Sequence, residues 1–301
     1  MNPWIRIARP PIMLISVLGA FVGAALATTP YGLGISFWQC VWIAVGATAF
    51  SSALMIQNDI YDEKSDRTTR PDKPIPSGAI DPETASMVAL ILYIVALVVS
   101  LSLSMSCAGL TLVIVLLGWW YNTSGKGAGV LGAASVSIGV GAIPLWGALA
   151  VRPEEPWLMI PLFLSLVAAE LGREIMVSTG DFQGDVVAGW RTVPVCVGRI
   201  EAMWFALAFY VLSIPLWVWC YFAIDGFGWM YVVAAGVFLG VLLVGWCMCY
   251  QWVDIARQPK PAAFKAIDEK YIFASFETWL RWGSRIAIMA LQVVMLAEAF
   301  L

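Results

Sequence analysis

Two short acidic segments contain the residues best suited to chemistry. Their ligand-type side chains, spaced by four residues in each segment, are Asn58, Asp62 and Asp66 in NDIYDEKSD, and Asp181 and Asp185 in GDFQGD. On a helix, this spacing puts each set on one face. Carboxylates stacked in this way repel one another, and a divalent cation with a preference for oxygen ligands, such as Mg²⁺, removes the repulsion. The spacing therefore predicts two metal-binding faces, although solvated loop charges and helix caps could show the same pattern.

Basic residues lie close to both segments. Arg67, Arg70 and Lys73 follow the first segment, Arg173 precedes the second, and Lys126 lies between them in sequence. Arginine can bind a phosphate through two parallel hydrogen bonds. Carboxylates that hold Mg²⁺, combined with arginine and lysine, form a site for a diphosphate leaving group. We therefore interpret these five basic residues as candidates for substrate binding.

The rest of the chain predicts the elements that must position these residues. Hydrophobic residues make up 61% of the chain and charged residues only 12%, whereas soluble domains contain about 25% charged residues. Apolar runs long enough for membrane-spanning helices cover about 11–28, 36–57, 84–104, 107–120, 128–150, 156–172, 201–223, 227–250 and 281–300. We predict an all-α membrane protein with about nine transmembrane helices around a central cavity that opens to the cytoplasmic side.

Positive charge is distributed unevenly between the two sides of the predicted spans. Of the 17 Lys and Arg residues, all but Arg152 fall at loops or span ends on one side. The positive-inside rule makes that side cytoplasmic, together with the N-terminus and the acidic segments. The net charge of -3 gives no basic face for nucleic acid. Residues 262–280 have the composition of either a short amphipathic surface helix or a solvated loop.

A weak internal repeat predicts two helical halves, about 1–120 and 121–301, within one domain that covers the chain. The matching residues, at an offset of 120, are Pro74 with Pro194, Gly78 with Gly198 and Ile80 with Ile200. Asp62 and Asp185 differ by 123 positions. The two acidic segments would then occupy related places and face each other.

The segments and their surroundings resemble the UbiA-type intramembrane prenyltransferases. NDIYDEKSDRTTRPDKPIPSG is similar to the first aspartate-rich motif of that family, and REIMVSTGDFQGDVVAGWRTVP to the second, D-x-x-x-D followed by G-x-x-T-x-P. Arg9-Pro10 before the first span, and Tyr121 with Lys126, also fit. The likeness extends from about residue 5 to 200 and is strongest for the digeranylgeranylglyceryl phosphate synthase and chlorophyll synthase branches.

The resemblance implies an enzyme that binds a polyprenyl diphosphate through Mg²⁺ and joins the prenyl chain to a hydrophobic acceptor in the lipid bilayer. It implies that the diphosphate is contacted by Arg70 and Lys126. The metal ligands that it implies are Asn58, Asp62, Asp66, Asp181 and Asp185. We therefore expect transfer of a polyprenyl group, geranylgeranyl in the first instance, to geranylgeranylglyceryl phosphate.

One departure from the family pattern bears on the acceptor. Val177-Ser178 stands where related branches often have Lys-Asp. An acceptor with an aromatic ring, of the quinone or chlorophyll type, is therefore an alternative, as is a UbiA-type terpene cyclase that needs no acceptor. A non-enzymatic membrane carrier could also contain carboxylates, although those of carriers lie near the middle of the membrane rather than at one face.

Overall fold

The structure, a computed structural model, describes residues 2–257 and 272–301, and no strand occurs in these ranges. The prediction of an all-α chain is therefore confirmed. The long helices of this part of the chain are α2 (Pro10–Thr28), α3 (Phe37–Tyr61), α5 (Pro82–Leu103), α6 (Met105–Thr123), α7 (Val130–Val151), α8 (Ile160–Gly180), α11 (Arg199–Ala223), α12 (Trp229–Arg257) and α14 (Ser284–Ala299). The short ones are α1 (Pro3–Ala8), α4 (Glu63–Thr69), α9 (Phe182–Ala188), α10 (Val193–Val197) and α13 (272–278).

Each long helix coincides with one of the predicted apolar runs. By length and composition, 7 helices of the described residues could cross a membrane: α2, α3, α5, α6, α7, α11 and α12. The chain is thus a multi-pass integral membrane protein. The other two long helices are α8, which carries charged residues, and α14, which has only 16 residues. Nine spans, and the side to which a central cavity opens, stay predictions.

Two predicted boundaries need correction. The run 156–172 corresponds to a 3₁₀ turn (Pro156–Met159) followed by α8, which continues to Gly180 and contains the Glu170–Arg173 ion pair. The short run 107–120 corresponds to α6, which begins two residues earlier, at Met105, and ends three residues later, at Thr123. Of the predicted amphipathic segment 262–280, residues 262–271 lie outside the described part.

The long helices form a closed ring. In chain order, each contacts the next, α14 returns to α2, and α2 also crosses α7 inside the ring. At this crossing a Cβ on Gly23 would lie 1.7 Å from the Pro144 carbonyl oxygen, and one on Gly147 would lie 1.8 Å from that of Ala20. Small residues allow two membrane helices to approach this closely. The crossing therefore holds the two central helices in direct backbone contact.

The two ends of the ring differ in charge. Arg9 lies at the start of α2 and donates a hydrogen bond to Asp59 near the end of α3. Arg152 lies at the opposite end of α2, where it donates to the Ala27 carbonyl oxygen at 3.3 Å and pairs with Glu155 at 2.8 Å. Both acidic segments lie at the Arg9 end, so this arrangement agrees with the charge pattern of the sequence.

The two acidic segments are built in the same way. In each, a long helix ends at an aspartate and a seven-residue helix follows: Asp62 joins α3 to α4, and Asp181 joins α8 to α9. The helical spacing continues through both joints, because Asp66 N–H donates to the Asp62 carbonyl at 2.8 Å and Asp185 N–H donates to that of Asp181 at 3.0 Å. Asp62 therefore corresponds to Asp181, not to Asp185 as the offset in the sequence suggested, and Asp66 corresponds to Asp185.

Candidate active site

The turn between α4 and α5 brings Lys73 into the first acidic segment. Ile75 and Ile80 of this turn are buried against Ile7, which fixes the turn on the end of the bundle. The Lys73 ammonium then lies 3.1 Å from Asp59 Oδ1 and 2.6 Å from Asp66 Oδ2. One lysine thus bridges two carboxylates that are themselves buried.

Arg9 binds the same carboxylate oxygen of Asp59 as Lys73 does. Its guanidinium lies 2.5 Å from Asp59 Oδ1. Arg9 has φ +53°, a left-handed conformation that costs about 1–2 kcal/mol for an L-residue. Pro10 follows, and it disfavours the right-handed helical conformation for the residue before it. Because Arg9 starts α2 and Asp59 lies near the end of α3, this pair joins the two helices. The four-residue spacing in the sequence did not single out Asp59.

Two ion pairs connect the first segment to the rest of the site. Lys126, from the connection between α6 and α7, forms a close ion pair with Asp62. Arg70, which follows α4, lies 3.2 Å from Asp181 Oδ1. The Arg70–Asp181 pair thus links the residue after α4 to the second acidic segment, and α4 and α9 are in contact.

Aromatic side chains hold Lys126 in place. Its ammonium lies 4.4 Å from the centre of the Trp190 ring and 5.9 Å from that of Tyr121. A cation over an aromatic face is attracted by the ring, by about 0.5–2 kcal/mol depending on desolvation. Trp190 was missed in the sequence, because a single tryptophan after the second segment carries no spacing that relates it to a distant lysine.

Asp185 is a buried aspartate of the second segment with a hydroxyl as its hydrogen-bond partner. It is buried and accepts a hydrogen bond from Thr192 Oγ1 at 2.9 Å. Burial raises the pKa of Asp185 to about 6, with the nearby charge of Asp181 adding to the effect and the Thr192 hydrogen bond opposing it. Burial also raises the pKa of Asp66, against the hydrogen bond and charge of Lys73. Burial therefore disfavours the ionised form of both carboxylates, and a bound cation would stabilise that form.

A chain of amides orients Asn58. Its Nδ2 donates to Asn122 Oδ1 at 3.2 Å, and Asn122 Nδ2 donates to Gln57 Oε1 at 3.3 Å. The Tyr93 hydroxyl donates to the same Gln57 oxygen at 2.7 Å. We refer to Asn58, Asn122 and Gln57 as the amide chain. Because the Asn58 side chain uses Nδ2 in this chain, its side-chain oxygen Oδ1 remains available to a cation.

Comparison with known proteins identifies the family to which this arrangement belongs. Residues 16–275 match the sequence profile of the UbiA prenyltransferase family. The chain is a member of the UbiA prenyltransferase family. It is 31% identical over 247 residues to the digeranylgeranylglyceryl phosphate synthase of Methanopyrus kandleri, covering 81% of this chain and 87% of that one. It is also 31% identical to the synthase of the same name from Natronomonas pharaonis, over 73% of this chain and 76% of that one.

Solved structures share the UbiA fold. The apo structure of a UbiA homolog from Aeropyrum pernix superposes with a TM-score of 0.73 at 19% identity, covering 94% of this chain and 97% of that one. A UbiA homolog from Archaeoglobus fulgidus bound to GPP and Mg²⁺ superposes with a TM-score of 0.66 at 16% identity, over 92% and 98% of the two chains. The predicted family, fold and prenyltransferase class are thus confirmed.

In this UbiA prenyltransferase, the basic residues predicted for substrate binding fall into two groups. Arg70, Lys73 and Lys126 lie among the aspartates of the two segments. Arg67 pairs instead with Glu63, one turn away on α4 at 2.7 Å. Arg173 lies two turns inside α8, where it binds glutamates of the same helix. A role for Arg67 or Arg173 in substrate binding stays a prediction.

The donor set of this site fits Mg²⁺ that arrives together with a phosphate ligand. Within the described ranges, no three acidic, histidine or cysteine side chains converge as a ready cage for a metal. Mg²⁺ does not require such a cage, because it commonly takes one or two carboxylates and completes its shell with waters and phosphate oxygens. Here the carboxylates stand in pairs on two facing segments, with cations between them that suit a diphosphate.

Proposed function

We propose that this UbiA-family enzyme transfers a geranylgeranyl group from its diphosphate to geranylgeranylglyceryl phosphate, in a Mg²⁺-dependent reaction at the face-to-face acidic segments. The family match and the relatives named digeranylgeranylglyceryl phosphate synthase support this assignment. The observation that carries it is the pairing of Asp62 with Lys126 and of Asp181 with Arg70. In these pairs, carboxylates that could bind the metal lie beside cationic side chains that could bind the diphosphate.

We assign the metal to both segments. The residues that would hold it are Asn58, Asp62, Asp66, Asp181 and Asp185. Bound there, Mg²⁺ would supply charge stabilisation for the departing diphosphate. When the metal and substrate bind, Lys126 and Arg70 would exchange their carboxylate partners for phosphate oxygens. Both side chains would then stabilise the negative charge that develops on the leaving group.

In the reaction, the bond between C1 of the prenyl chain and the diphosphate oxygen breaks, and its electron pair leaves with the diphosphate. The acceptor oxygen forms the new bond to C1 and loses its proton. Water must be kept from the allylic cation, and the apolar helices around the site suit this task. Arg191 is exposed beside Gly127, whose neighbour is Lys126, and it is our candidate for the acceptor phosphate.

We also propose that the site and the N-terminus face the cytoplasm, because all Lys and Arg residues but Arg152 fall on that side of the predicted spans. Single cysteines at Ser65 and Glu154, introduced into a cysteine-free background, should react with a membrane-impermeant reagent from opposite faces. Reaction from the same face would contradict this orientation.

A second candidate acceptor is an aromatic ring without phosphate. Val177 and Ser178 supply no charge beside the second segment, and Arg173 is occupied by Glu170 through two hydrogen bonds. An enzyme that bound a second phosphate through α8 would need one of these positions to be a free cation. The acceptor panel below separates the two candidates.

The test is a transfer assay with purified protein in lipid nanodiscs. Geranylgeranyl diphosphate and Mg²⁺ are offered with geranylgeranylglyceryl phosphate or with hydroxylated aromatic acceptors, and products are identified by mass spectrometry. We expect diphosphate release and an ether product with geranylgeranylglyceryl phosphate, both abolished by EDTA. The Asp62→Ala variant should be inactive, whereas Glu83→Gln, at an exposed position in the first turn of α5, should retain activity. An aromatic product alone would select the second candidate, and no Mg²⁺-dependent release would refute the proposal.

A further inference from the structure

A second set of charged residues lies deeper in α8 than the acidic segment. Arg173 and Glu174 follow Glu170 by three and four residues, so both lie next to Glu170 on the helix surface. Arg173 Nε donates to Glu170 Oε2 at 2.7 Å, a second guanidinium nitrogen binds Glu170 Oε1, and Glu174 Oε2 lies 3.4 Å away. The Glu174 side chain is only 12% exposed. Ionisable side chains are costly to bury, so such a set is a candidate for function.

Glu174 is aligned with the metal-binding face. Asp181 follows it by seven residues, which is close to two turns, so both side chains project on the same face about 10 Å apart along the helix axis. The Glu174 carboxylate interacts electrostatically with Asp181 and Lys126. A prenyl diphosphate that is bound at Asp181 and Lys126, with its chain running inward along α8, would bring its C1 atom toward Glu174.

The proposed reaction needs a group with this placement. An acceptor hydroxyl must give up its proton as its oxygen bonds to C1, and a positioned side chain usually takes it. The chain contains 0 histidines, so a carboxylate is the natural candidate. The four aspartates that the proposed function assigns to the metal, Asp62, Asp66, Asp181 and Asp185, would be committed to it, and three of them also pair with cations. Glu174 is not one of these aspartates, and it lies about two helical turns farther into α8 than Asp181.

The local charges keep Glu174 available. Glu170 neutralises Arg173 through the two short contacts, whereas Glu174 makes only the 3.4 Å contact to it. The other titratable groups that face this set are Tyr121 on α6 and Tyr210 on α11, together with Lys126 and Asp181. Glu170 therefore acts as a positioning residue that stops Arg173 from pairing closely with Glu174.

We propose that Glu174 is the general base that accepts the proton of the acceptor hydroxyl. In this step the O–H bond breaks, its proton passes to the Glu174 carboxylate, and the oxygen electron pair forms the bond to C1. The C1–diphosphate bond breaks and its electron pair leaves with the diphosphate, so that no oxidant or further reactant is needed. This inference rests on the proposed function, because it requires a hydroxyl acceptor.

The test separates ionisation of the donor from transfer. Geranylgeranyl diphosphate and Mg²⁺ are incubated with the full-length enzyme in nanodiscs, without acceptor and with geranylgeranylglyceryl phosphate. Diphosphate release without acceptor reports ionisation, with the cation then lost slowly by elimination of a proton or by capture of the little water that enters. The ether product reports transfer. Glu174→Gln should lower transfer by at least about 100-fold, the usual range for loss of a general base, and should change donor ionisation by less than about threefold. Glu174→Asp, which keeps a carboxylate, should recover part of the transfer.

The matched control is Glu298→Gln, which also neutralises a buried glutamate but at the opposite end of the bundle, where Glu298 accepts from Tyr231 N–H at 3.0 Å. It should lower neither rate selectively. Parallel loss of ionisation and transfer in Glu174→Gln would show a structural role and overturn the inference, and so would unchanged transfer. A wild-type enzyme that ionises the donor but never alkylates a hydroxyl would instead refute the proposed function, and the inference with it.

Discussion

The strongest quantitative prediction concerns Asp185→Asn. The pKa of Asp185 is raised from 3.8 to about 6 by burial, so its ionised form is disfavoured in the folded protein. A carboxyl that binds its proton more tightly when folded makes the protein less stable as the pH rises between these two values. Asparagine has nearly the same shape, carries no charge and can still accept the hydrogen bond from Thr192. We therefore expect Asp185→Asn to be more stable than wild type at neutral pH when no metal is bound.

The magnitude follows from the pKa. One pKa unit corresponds to about 1.4 kcal/mol, so the ionised carboxylate destabilises metal-free protein by on the order of 1–3 kcal/mol after allowance for local relaxation. In a chain of this size, about 2 °C of melting temperature corresponds to 1 kcal/mol. Asp185→Asn should therefore melt roughly 2–6 °C above wild type at pH 7.5, by the same relation. The difference should open between pH 4 and about pH 6 and stay constant above about pH 7.

The assay is thermal unfolding in detergent with EDTA, followed by tryptophan fluorescence, at pH 4.5, 6 and 7.5. Glu83→Gln, at an exposed position in the first turn of α5, is the control and should show no such pH-dependent difference. Addition of Mg²⁺ with diphosphate should raise the melting temperature of wild type and reverse the order of the two proteins. If Asp185→Asn melted below wild type in EDTA at pH 7.5, or if the difference did not change with pH, the reasoning about this carboxylate would be wrong.

Four further predictions concern single side chains. Asp62→Ala should lower Mg²⁺-dependent diphosphate release by at least about 100-fold while the protein still elutes as a folded species in size-exclusion chromatography; near-normal release would argue against a metal at this joint. Arg70→Lys keeps the charge but loses the planar fork, and we expect KM for the prenyl diphosphate to rise about tenfold; an unchanged KM would favour a purely topological role. Tyr93→Phe removes a donor to the amide chain, so the Mg²⁺ concentration for half-maximal rate should rise about two- to tenfold, with kcat at saturating Mg²⁺ nearly unchanged. Gly23→Leu would force a side chain into the Pro144 carbonyl and should abolish folded protein in size-exclusion chromatography, whereas a normal elution profile would show that the α2–α7 crossing can open.

The positions of the helices and the meeting of the two acidic segments could be predicted from the sequence. Both depend on periodic signals: apolar runs long enough to span a membrane, and carboxylates at intervals of four. A helical joint preserves that interval, which is why Asp62 and Asp181 keep their neighbours on one face. The basic residues were harder to assign, because closeness in sequence to an acidic segment does not determine which carboxylate a side chain contacts. Arg67 and Arg70 are three residues apart, yet one pairs within α4 and the other reaches the second segment.

The end of α8 was predicted wrongly for a related reason. Charged residues lower the hydropathy of its last two turns, so the apolar run ends near residue 172. In the structure Glu170 and Arg173 neutralise each other on one face of α8. A hydropathy sum treats each residue separately and therefore does not include this pairing. The contacts of Asp59 with Arg9 and of Lys126 with Trp190 join residues about 50 or more positions apart. No local spacing encodes them, and they depend on the ring of helices being closed.

The ion pairs of the site have a consequence for the order and strength of ligand binding. If Asp62 and Asp181 hold the metal as proposed, a metal ion that approaches alone must separate them from Lys126 and Arg70, and it leaves two cations without counter-ions. A diphosphate that approaches alone strands the two carboxylates instead. When both ligands arrive, each displaced group finds a new partner, so the cost of breaking the pairs is shared. The two affinities are therefore thermodynamically coupled, and saturation with either ligand should strengthen binding of the other by a factor of about 5–150, the range of coupling free energies in proteins.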